Sequence, residues 1–417
     1  MTAVALVMAT SLTAAAVPAT LDVTFSGDGI ATLPDAFPTA VTGWRGKTVA
    51  LFEMTRAPLS PERVYRYNAD GSADTSFGGK GFATIASSTF WTNLLTTSSG
   101  QVVVVGQGDV SGTVIRLRPG GAPDTRFSSD GSASFGDKKT YPAAVAVDGL
   151  GRLLVLAPEN TGTWKHPTYD SCVYRFSPRG RLDQTFGRQG RQCVDVAKDE
   201  FAYALTVDAR NRVLVAGGGY NVSPRATVFR LTPRRGRLDT SFGATGTGVV
   251  RVKYADGVQA VGTAIGTSSG AITVGLATQQ GVKPLGSGVI GAAAVRLTVT
   301  GTLDVAYDSD GRAELPTAGP NGQLYAVFVA PDGQVVGTGS TDDSGSTGAA
   351  LVGALTPDGA PDTNIGPDGT ATLDMLPAGS SAVDAVTVGS RLMVASMTFA
   401  PTTSNSAGSL VAVANGP

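Results

Sequence analysis

The chain has 417 residues and a net charge of −1, with 42% hydrophobic and 16% charged residues. A charge so close to zero argues against nucleic acid and against an anionic membrane surface as partners, because both attract a clear basic excess. The single histidine excludes metal sites built from several histidines. Glycine occurs 55 times among short apolar runs, which predicts an all-β fold with many tight turns.

The chain begins with a small and apolar stretch, MTAVALVMATSLTAAAVPAT. It resembles a secretory signal that ends in Val-x-Ala and is cleaved before Thr20, although no Lys or Arg precedes the apolar run. The sequence therefore predicts a signal peptide over residues 1–19 and a single domain over residues 20–417. The protein is expected to be secreted or held at the cell surface, with no membrane span after cleavage. The alternatives are a disordered apolar tail and a misplaced start site.

A motif of the form Asp-x-x-aromatic, usually followed by Gly, recurs at intervals of about 50 to 65 residues. Its aspartates are Asp22, Asp74, Asp124, Asp183, Asp239, Asp304 and Asp362. Its aromatic residues are Phe25, Phe77, Phe127, Phe186, Phe242 and Tyr307, with Ile365 in the seventh place. Between motifs the sequence predicts four short strands, as in residues 203–208, 212–217, 227–231 and 247–252.

A four-stranded unit of this size cannot bury both of its faces alone, and the closed solution for stacked β units is a propeller. Seven motifs predict a seven-bladed β-propeller of four-stranded antiparallel blades. The chain starts with an outer strand and stops at a third strand. Residues 30–33 are therefore expected to pair with residues 410–414, so that the N-terminal strand closes the last blade and removes exposed sheet edges.

The motif is interpreted as a structural fastener. Its glycine suits a tight turn, its aspartate can accept bonds from the amides of that turn, and its aromatic ring is expected to pack between blades. An arginine stands eight or nine residues before the aspartate in five units: Arg66, Arg116, Arg175, Arg230 and Arg296. A buried arginine needs a carboxylate partner, so we expect an Arg–Asp ladder around the ring. The last two units lack this arginine, with Gly353 and Val413 near its place.

Calcium binding is the functional alternative for the run DSDG at residues 308–311. Calcium loops need several oxygen ligands and usually a bidentate Glu. A tight turn is therefore favoured, and no metal or cofactor is predicted.

Cys172 and Cys193 fall on neighbouring strands of one blade and are expected to form a disulfide. It would close a loop of about twenty residues and contribute roughly 3 kcal/mol. Two reduced thiols and a redox pair are the alternatives, although a redox pair would favour C-x-x-C spacing.

The L-D-x-x-F-G-x-x-G signature, the VxRLxPxG strand before it and the AVxxDxxGRxLVxG hairpin resemble the delta-60 repeat. This is a β-propeller family of bacterial secreted and surface proteins without an assigned activity. The resemblance covers nearly all of residues 21–417 and is most specific in YRFSPRGRLDQTFG and FRLTPRRGRLDTSFG. It implies a propeller with an interaction role, and it offers no catalytic residues to transfer.

Binding concentrates on variable loops carried by a rigid scaffold. On the face opposite to the motif turns, the candidate ligand-binding residues are Trp91, Trp164, His166, Tyr169 and Tyr220. Their amphipathic side chains suit a sugar or a peptide, but Trp164 and Tyr169 could instead cover the small core of their own loop. His166 has no recognisable partner that would make it a general base, so no catalytic residue is predicted.

Seven arginines are expected on the motif side of two adjacent blades: Arg179, Arg181, Arg188, Arg191, Arg234, Arg235 and Arg237. They could hold an anionic polymer, but Asp183, Asp195 and Asp239 nearby favour a solvated face. The sequence thus predicts a monomeric, non-catalytic binding propeller for a protein or a glycan. The alternatives are a propeller lyase or hydrolase with its site at the axial mouth, where Asp384 is the one clear acid, and a purely structural surface spacer.

Overall fold

The structure, a computed structural model, describes residues 17–54, 61–85, 89–163, 165, 168–195, 200–219, 225–280, 290–317, 322–342, 348–398 and 407–414. The regular secondary structure of these residues consists of β-strands in seven sheets. No helix in this part of the chain is long and apolar enough to cross a membrane. The seven sheets are the seven antiparallel blades of a β-propeller, numbered here along the chain.

Each blade runs from a first strand at the axis to a fourth strand at the rim. The first strands of blades 1 to 7 are Ala36–Trp44, Thr89–Thr96, Ala144–Val147, Glu200–Val207, Val258–Ser268, Gln323–Val329 and Ser380–Val388. The second strands are Lys47–Met54, Val102–Gly108, Leu153–Leu156, Val213–Gly219, Ala271–Gln280, Val335–Ser340 and Arg391–Thr398. The third strands are Arg63–Tyr67, Gly112–Leu117, Tyr169–Phe176, Ala226–Leu231, Ile290–Leu297, Ala350–Leu355 and Ala407–Ala414. The fourth strands are Phe82–Thr84, Ser132–Phe135, Arg191–Val194, Val249–Val252, Arg312–Glu314, Thr370–Thr372 and Ile30–Pro34.

The first strands of consecutive blades contact one another all the way around the axis, and the last contact joins blade 7 to blade 1. Seven clusters of buried apolar side chains lie between the blades, each drawing on two neighbours. Second strands such as Val102–Gly108 are buried on both faces at their start, which explains their continuous apolar sequence. The predicted seven-bladed, all-β propeller is therefore confirmed.

The connections of the blades define two faces of the ring. The motif face carries the turns between first and second strands and between third and fourth strands. The loop face carries the connections between second and third strands and the crossings from one blade to the next. Most of the variable loops of the loop face lie outside the described residues, whereas every turn that joins two strands on the motif face is described.

Blade 7 is closed by both ends of the fold, as the sequence predicts, but with a different register. Ile30–Pro34 pairs antiparallel with residues 407–411, from Ile30 opposite Val411 to Pro34 opposite Ala407. The pairing is shifted by about three residues from the predicted partner segment, residues 410–414. The reason is that residues just before Ile30 occupy the end of the third strand, where Leu21 lies opposite Val413.

A short N-terminal segment adds a fifth strand to blade 6. Val17–Pro18 pairs in parallel with Thr370–Thr372, and the amide of Ala19 donates to the carbonyl of Thr372 at 2.8 Å. Ala19 is buried, and the carbonyl of Thr20 accepts the amide of Ala414 at 2.9 Å. The segment therefore touches both blade 6 and blade 7. It includes three residues of the predicted signal peptide.

Candidate functional site

The repeated motif joins neighbouring blades. In blade 3, Arg175 Nε donates to Asp183 Oδ2 at 3.0 Å, and Arg175 Nη1 donates to the carbonyl of Pro233 in blade 4 at 2.5 Å. The guanidinium carbon also lies 4.3 Å from the centre of the Phe186 ring. One buried side chain thus binds its own motif aspartate, its motif aromatic ring and the next blade.

Blades 1, 2, 4 and 5 repeat this arrangement. The ion pairs are Arg66–Asp74, Arg116–Asp124, Arg230–Asp239 and Arg296–Asp304, at 2.7–2.9 Å. The guanidinium groups lie over the rings of Phe77, Phe127, Phe242 and Tyr307. The carbonyls that they reach in the next blade are those of Pro119, Pro178, Val299 and Pro357. The predicted Arg–Asp ladder is confirmed for these five blades.

The other carboxylate oxygen of each motif aspartate holds the turn. In all seven motifs Oδ1 accepts the amide two residues further on, in Thr24, Ser76, Arg126, Thr185, Ser241, Ala306 and Asn364. Burial disfavours the charge of Asp183, but the hydroxyl and amide of Thr185 and the charge of Arg175 outweigh it and lower its pKa. In the run DSDG, Asp310 accepts the amide of Arg312 at 2.8 Å, which is the same kind of tight turn.

Blades 6 and 7 satisfy their motif aspartates from a residue at the start of the second strand or just before it. In blade 7, Arg391 Nη2 lies 2.7 Å from Asp22 Oδ2, and Arg391 Nη1 donates to the carbonyl of Ala69 in blade 1 at 2.5 Å. In blade 6, Gln334 donates to the carboxylate of Asp362. The sequence pattern missed both partners because they come from a different strand.

The predicted ligand-binding residues of the loop face have different environments. Trp91 is only 4% exposed and packs in the apolar cluster between blades 1 and 2, which leaves little of its ring for a ligand. Tyr169 is half-buried at the start of a third strand. Trp164, His166 and Tyr220 lie outside the described residues.

Partly exposed aromatic side chains follow one another across blades 2 to 4 near the loop-face ends of their strands. This aromatic arc consists of Phe90, Tyr141, Tyr169, Phe201 and Tyr203. Its ring centres are 6.0 Å apart from Tyr141 to Tyr169, 5.0 Å from Tyr169 to Phe201 and 4.9 Å from Phe201 to Tyr203. Phe90 is 81% exposed, the largest exposed fraction among the described large hydrophobic residues.

Two members of the arc, Phe90 and Phe201, lie just before a bulge in their strand. The first strands of blades 1, 2 and 4 each contain a bulge, and a phenylalanine stands two residues before it: Phe37, Phe90 and Phe201. A bulge bends its strand and redirects nearby side chains. None of these phenylalanines belongs to a motif of the repeat. Their shared distance from the bulge is a signal that only the strand register makes visible.

Two acids with raised pKa values lie on the inner and loop-face side of the ring. Burial raises the pKa of Glu62 to about 8, the charge of Glu53 adds to this, and the Trp91 amide donates to the Glu62 carboxylate. Glu62 Oε2 is buried without a hydrogen-bond partner. A carboxyl group of this kind is protonated at neutral pH and can donate a proton.

Asp384, the acid predicted near the axis, links blade 7 to blade 1. Its Oδ2 accepts the amide of Val41 at 2.9 Å, and its Oδ1 accepts the amide of Ala385 at 2.8 Å. Desolvation raises its pKa to about 6 although part of its surface remains accessible. With both oxygens occupied by backbone amides, Asp384 is a structural group of the closing blades.

Cys172 and Cys193 lie directly opposite each other on the third and fourth strands of blade 3 and form a disulfide. Beside it, Tyr174 and Arg191 both donate to the carboxylate of Glu159. Arg191 is therefore engaged in an ion pair, unlike several other arginines of the same blade pair. The disulfide suits an oxidising compartment.

Comparison with known proteins supports the same class of fold. A family described as a domain of unknown function (DUF5122) beta-propeller matches residues 63–77, which hold the third strand and the motif of blade 1. No curated protein matches the chain. The family match supports a β-propeller family, whereas the delta-60 resemblance stays an interpretation of the sequence.

Several solved propeller structures are similar in fold at low identity. The PQQ-bound aldose sugar dehydrogenase from Streptomyces coelicolor is 13% identical, with a TM-score of 0.44, covering 78% of this chain and 97% of that one. The propeller domain of the Trilobed protease from Pyrococcus furiosus is 8% identical, with a TM-score of 0.46, covering 87% and 90%. The polysaccharide lyase Uly1 is 10% identical, with a TM-score of 0.49, covering 90% of each chain.

Proposed function

We propose that the protein is an exported, non-catalytic binding propeller that holds a glycan against the aromatic arc of its loop face. The observation that carries this proposal is the exposure of Phe90 on the same face of the ring as a row of half-buried aromatic side chains. Aromatic rings offer a large apolar surface to the carbon faces of a sugar, and the tyrosine hydroxyls can bond to sugar hydroxyls. A protein partner would use the same surface, since exposed aromatic residues are typical anchors of interfaces.

The frame beneath the arc is rigid enough to position a ligand. Phe201 lies on a first strand whose register is fixed by pairing with the second strand of blade 4, and Tyr169 begins a strand tied by the disulfide-bearing hairpin. A binding surface that is already ordered loses little conformational freedom when its ligand binds. This supports binding at the arc itself, with the variable loops contributing specificity.

A pair of matched variants tests the proposal. Phe90→Ala and Tyr169→Ala together should weaken binding of neutral oligosaccharides, found by glycan array, by roughly tenfold or more. Leu150→Ala, which removes a side chain 64% exposed on the motif face, is the control and should leave binding unchanged. Absence of any glycan ligand, or affinity that survives loss of both rings, would contradict the proposal. A protein ligand lost with Phe90 would contradict only the glycan assignment.

Export and a monomeric state belong to the same proposal. The disulfide and the apolar N-terminal stretch support export, with cleavage before Thr20 as the sequence predicts. Cell fractionation with N-terminal sequencing of the released protein measures both, and a cytoplasmic protein with reduced Cys172 and Cys193 would contradict export. Sedimentation at micromolar concentration measures the oligomeric state.

A propeller enzyme, such as a lyase or hydrolase, is the second candidate, and Glu62 is the observation that favours it. A protonated acid near a second carboxylate, Glu53, next to an aromatic surface could serve as a general acid toward a bound glycan. Cleavage of any glycan by the wild-type protein, lost in Glu62→Gln, would replace the non-catalytic proposal. If neither binding nor cleavage is found, a structural spacer is what remains.

A further inference from the structure

A cleft on the motif face between blades 3 and 4 is lined by four arginines. This arginine cleft has a volume of about 640 Å³ and is formed by Thr185, Gly187, Arg188, Gln192, Arg234, Arg235 and Arg237. We infer that it binds an acidic polysaccharide, one that carries carboxylate or sulfate groups. The site lies on the face opposite to the aromatic arc and is independent of the function proposed above.

The backbone that carries these arginines is fixed by buried bonds. Arg175 donates to the carbonyls of Pro233 and Arg234, at 2.5 and 2.9 Å. The amide of Gly187 in blade 3 donates to the carbonyl of Arg235 in blade 4 at 2.8 Å. Two neighbouring blades are therefore held in one relative position, and the arginines project from ordered turns into the cleft between them.

The turn of blade 4 differs from its equivalents by one inserted arginine. In the corresponding turns of blades 1, 2, 3, 5 and 6, a backbone amide donates to the carbonyl of the residue four positions later in the chain. In blade 4 the amide of Thr232 donates to the carbonyl of Arg237, which is five positions later. The tip of this turn holds Arg234 and Arg235, whereas Asp70 and Asp358 occupy the tips in blades 1 and 6. The positive charge thus belongs to this blade pair and is not a property of the repeat.

The acids close to the cleft are already neutralised. Asp183 pairs with Arg175 and lies 3.9 Å from Arg152. Asp239 pairs with Arg230 at 2.8 Å and lies 3.8 Å from Arg212. These two carboxylates, expected from the sequence to dilute the arginine patch, are held by other partners, and Asp195 follows the fourth strand on the other face.

The four arginines of the cleft have no acidic partner of their own. Within the described part of the chain, Arg188, Arg234, Arg235 and Arg237 form no ion pair, and all four are exposed. Exposed guanidinium groups held close together repel one another and gain energy when an anion bridges them. Their planar, forked donors match the two oxygens of a carboxylate or sulfate group.

The lining favours a polysaccharide over a nucleic acid. No aromatic side chain is among the residues of the arginine cleft, so a nucleobase would find no stacking surface. The side-chain amide of Gln192 instead provides hydrogen-bonding groups suited to hydroxyls, whereas the Thr185 hydroxyl is bonded to Asp183. A second depression of about 510 Å³ shares Arg188 and Gln192 with the cleft and extends along blade 3. Its one aromatic lining residue, Tyr174, is only 3% exposed and adds little surface on which a base could stack.

The experiment measures binding of the full chain to alginate, to heparin, to uncharged dextran and to a single-stranded oligonucleotide. We expect binding to alginate or heparin that weakens as salt rises, with no binding to dextran at this site. Alginate carries only carboxylates and heparin carries both carboxylates and sulfates, so binding of heparin alone would identify sulfate as the recognised group and binding of alginate would show that carboxylates suffice. Arg234→Ala with Arg235→Ala should weaken that binding roughly tenfold or more.

The control removes the same charge elsewhere on the motif face, by Arg45→Ala with Arg126→Ala, both exposed. An equal loss in both double variants would show unspecific attraction and overturn the proposal, as would tighter binding of the oligonucleotide or no binding of either acidic polysaccharide. Unchanged melting temperatures show that the variants fold. Phe90→Ala should leave this binding intact, so failure here and failure of the aromatic arc are separate results.

Discussion

Blades 1 to 5 and blades 6 and 7 use different side chains to bind the motif aspartate. In the first group, a buried arginine of the third strand joins the motif aspartate to the next blade, as Arg175 does with Asp183 and Pro233. In blade 7, Arg391 of the second strand makes the equivalent bonds to Asp22 and to Ala69 of blade 1. What is preserved is the position of the guanidinium group in space and not the position of the arginine in the repeat.

Blade 6 binds its motif aspartate without such a cation among the described residues. In blade 7 the third strand, Ala407–Ala414, and the fourth strand, Ile30–Pro34, come from distant parts of the chain. Gln334 binds Asp362 instead, and residues 17–21 join blades 6 and 7 by backbone pairing.

The largest expected effect is loss of a third-strand arginine. Arg175→Ala should lower the free energy of unfolding by about 3–5 kcal/mol, because Asp183 would keep its charge with only part of its partners. Gln334→Ala in blade 6 is the matched comparison and should cost about 1 kcal/mol, since it removes one hydrogen bond. Urea unfolding followed by tryptophan fluorescence measures both. Equal losses would show that the two groups of blades are fastened alike.

Asp384 gives the closing blades a pH dependence. Its pKa is raised from 3.8 to about 6 in the folded protein, so the folded state binds more protons between these values. Its contribution to stability is therefore present below pH 4 and is lost as pH rises to 6, by about 1–3 kcal/mol. Asp384→Asn should flatten this part of the stability curve, measured from pH 4 to 7. A curve that keeps the same slope in the variant would assign the dependence to Glu62, which titrates higher.

Arg391→Ala tests whether the Arg391–Asp22 pair of blade 7 stabilises the fold as much as the Arg175–Asp183 pair of blade 3. Its partner Asp22 and the arginine itself are about one-fifth exposed, against 1% for the Arg175 side chain. Water can therefore replace part of the lost bonds, and we expect a cost of about 1–2 kcal/mol. Thermal unfolding measures it, and Arg45→Ala on the same face is the control. A cost as large as that of Arg175→Ala would remove the difference between the two groups.

The smallest expected effect concerns residues 17–19. A chain that starts at Thr20 should melt about 1 °C below one that starts at Val17, because it lacks the pairing of Val17–Pro18 with blade 6 and the buried Ala19, worth about 1 kcal/mol. Calorimetry of the two purified chains makes the comparison. Identical melting temperatures would mean that blades 6 and 7 are held by their apolar cluster alone.

Much of the fold follows from patterns that local chemistry dictates. The aspartate of each motif accepts amides of its own turn, so the motif can be read from residues two apart. The arginine partners stand eight or nine residues before the aspartate because one hairpin links the two residues. The pairing of Cys172 with Cys193 follows from the order of strands. None of these inferences needed contacts between distant residues.

The candidate sites were less visible in the sequence. Trp91 is buried although its residue type suggests a ligand contact, whereas the neighbouring Phe90 is exposed, because successive residues of a strand face opposite sides. The sequence predicts an arginine patch diluted by nearby acids, because a sequence does not show which carboxylate pairs with which cation. Only the pairing of Asp183 and Asp239 with buried arginines leaves the cleft positive.

The sequence by itself determined a closed ring of seven blades, since each repeat has an apolar pattern that only two neighbours can bury. The tertiary structure decided which groups remain available to a ligand and how the last two blades are joined. Exposure, bulge geometry and the choice of ion partner depend on residues far apart in the chain, such as Arg391 beside Asp22 and Arg235 beside Gly187. The free energies of those contacts are set by burial, which local sequence does not encode.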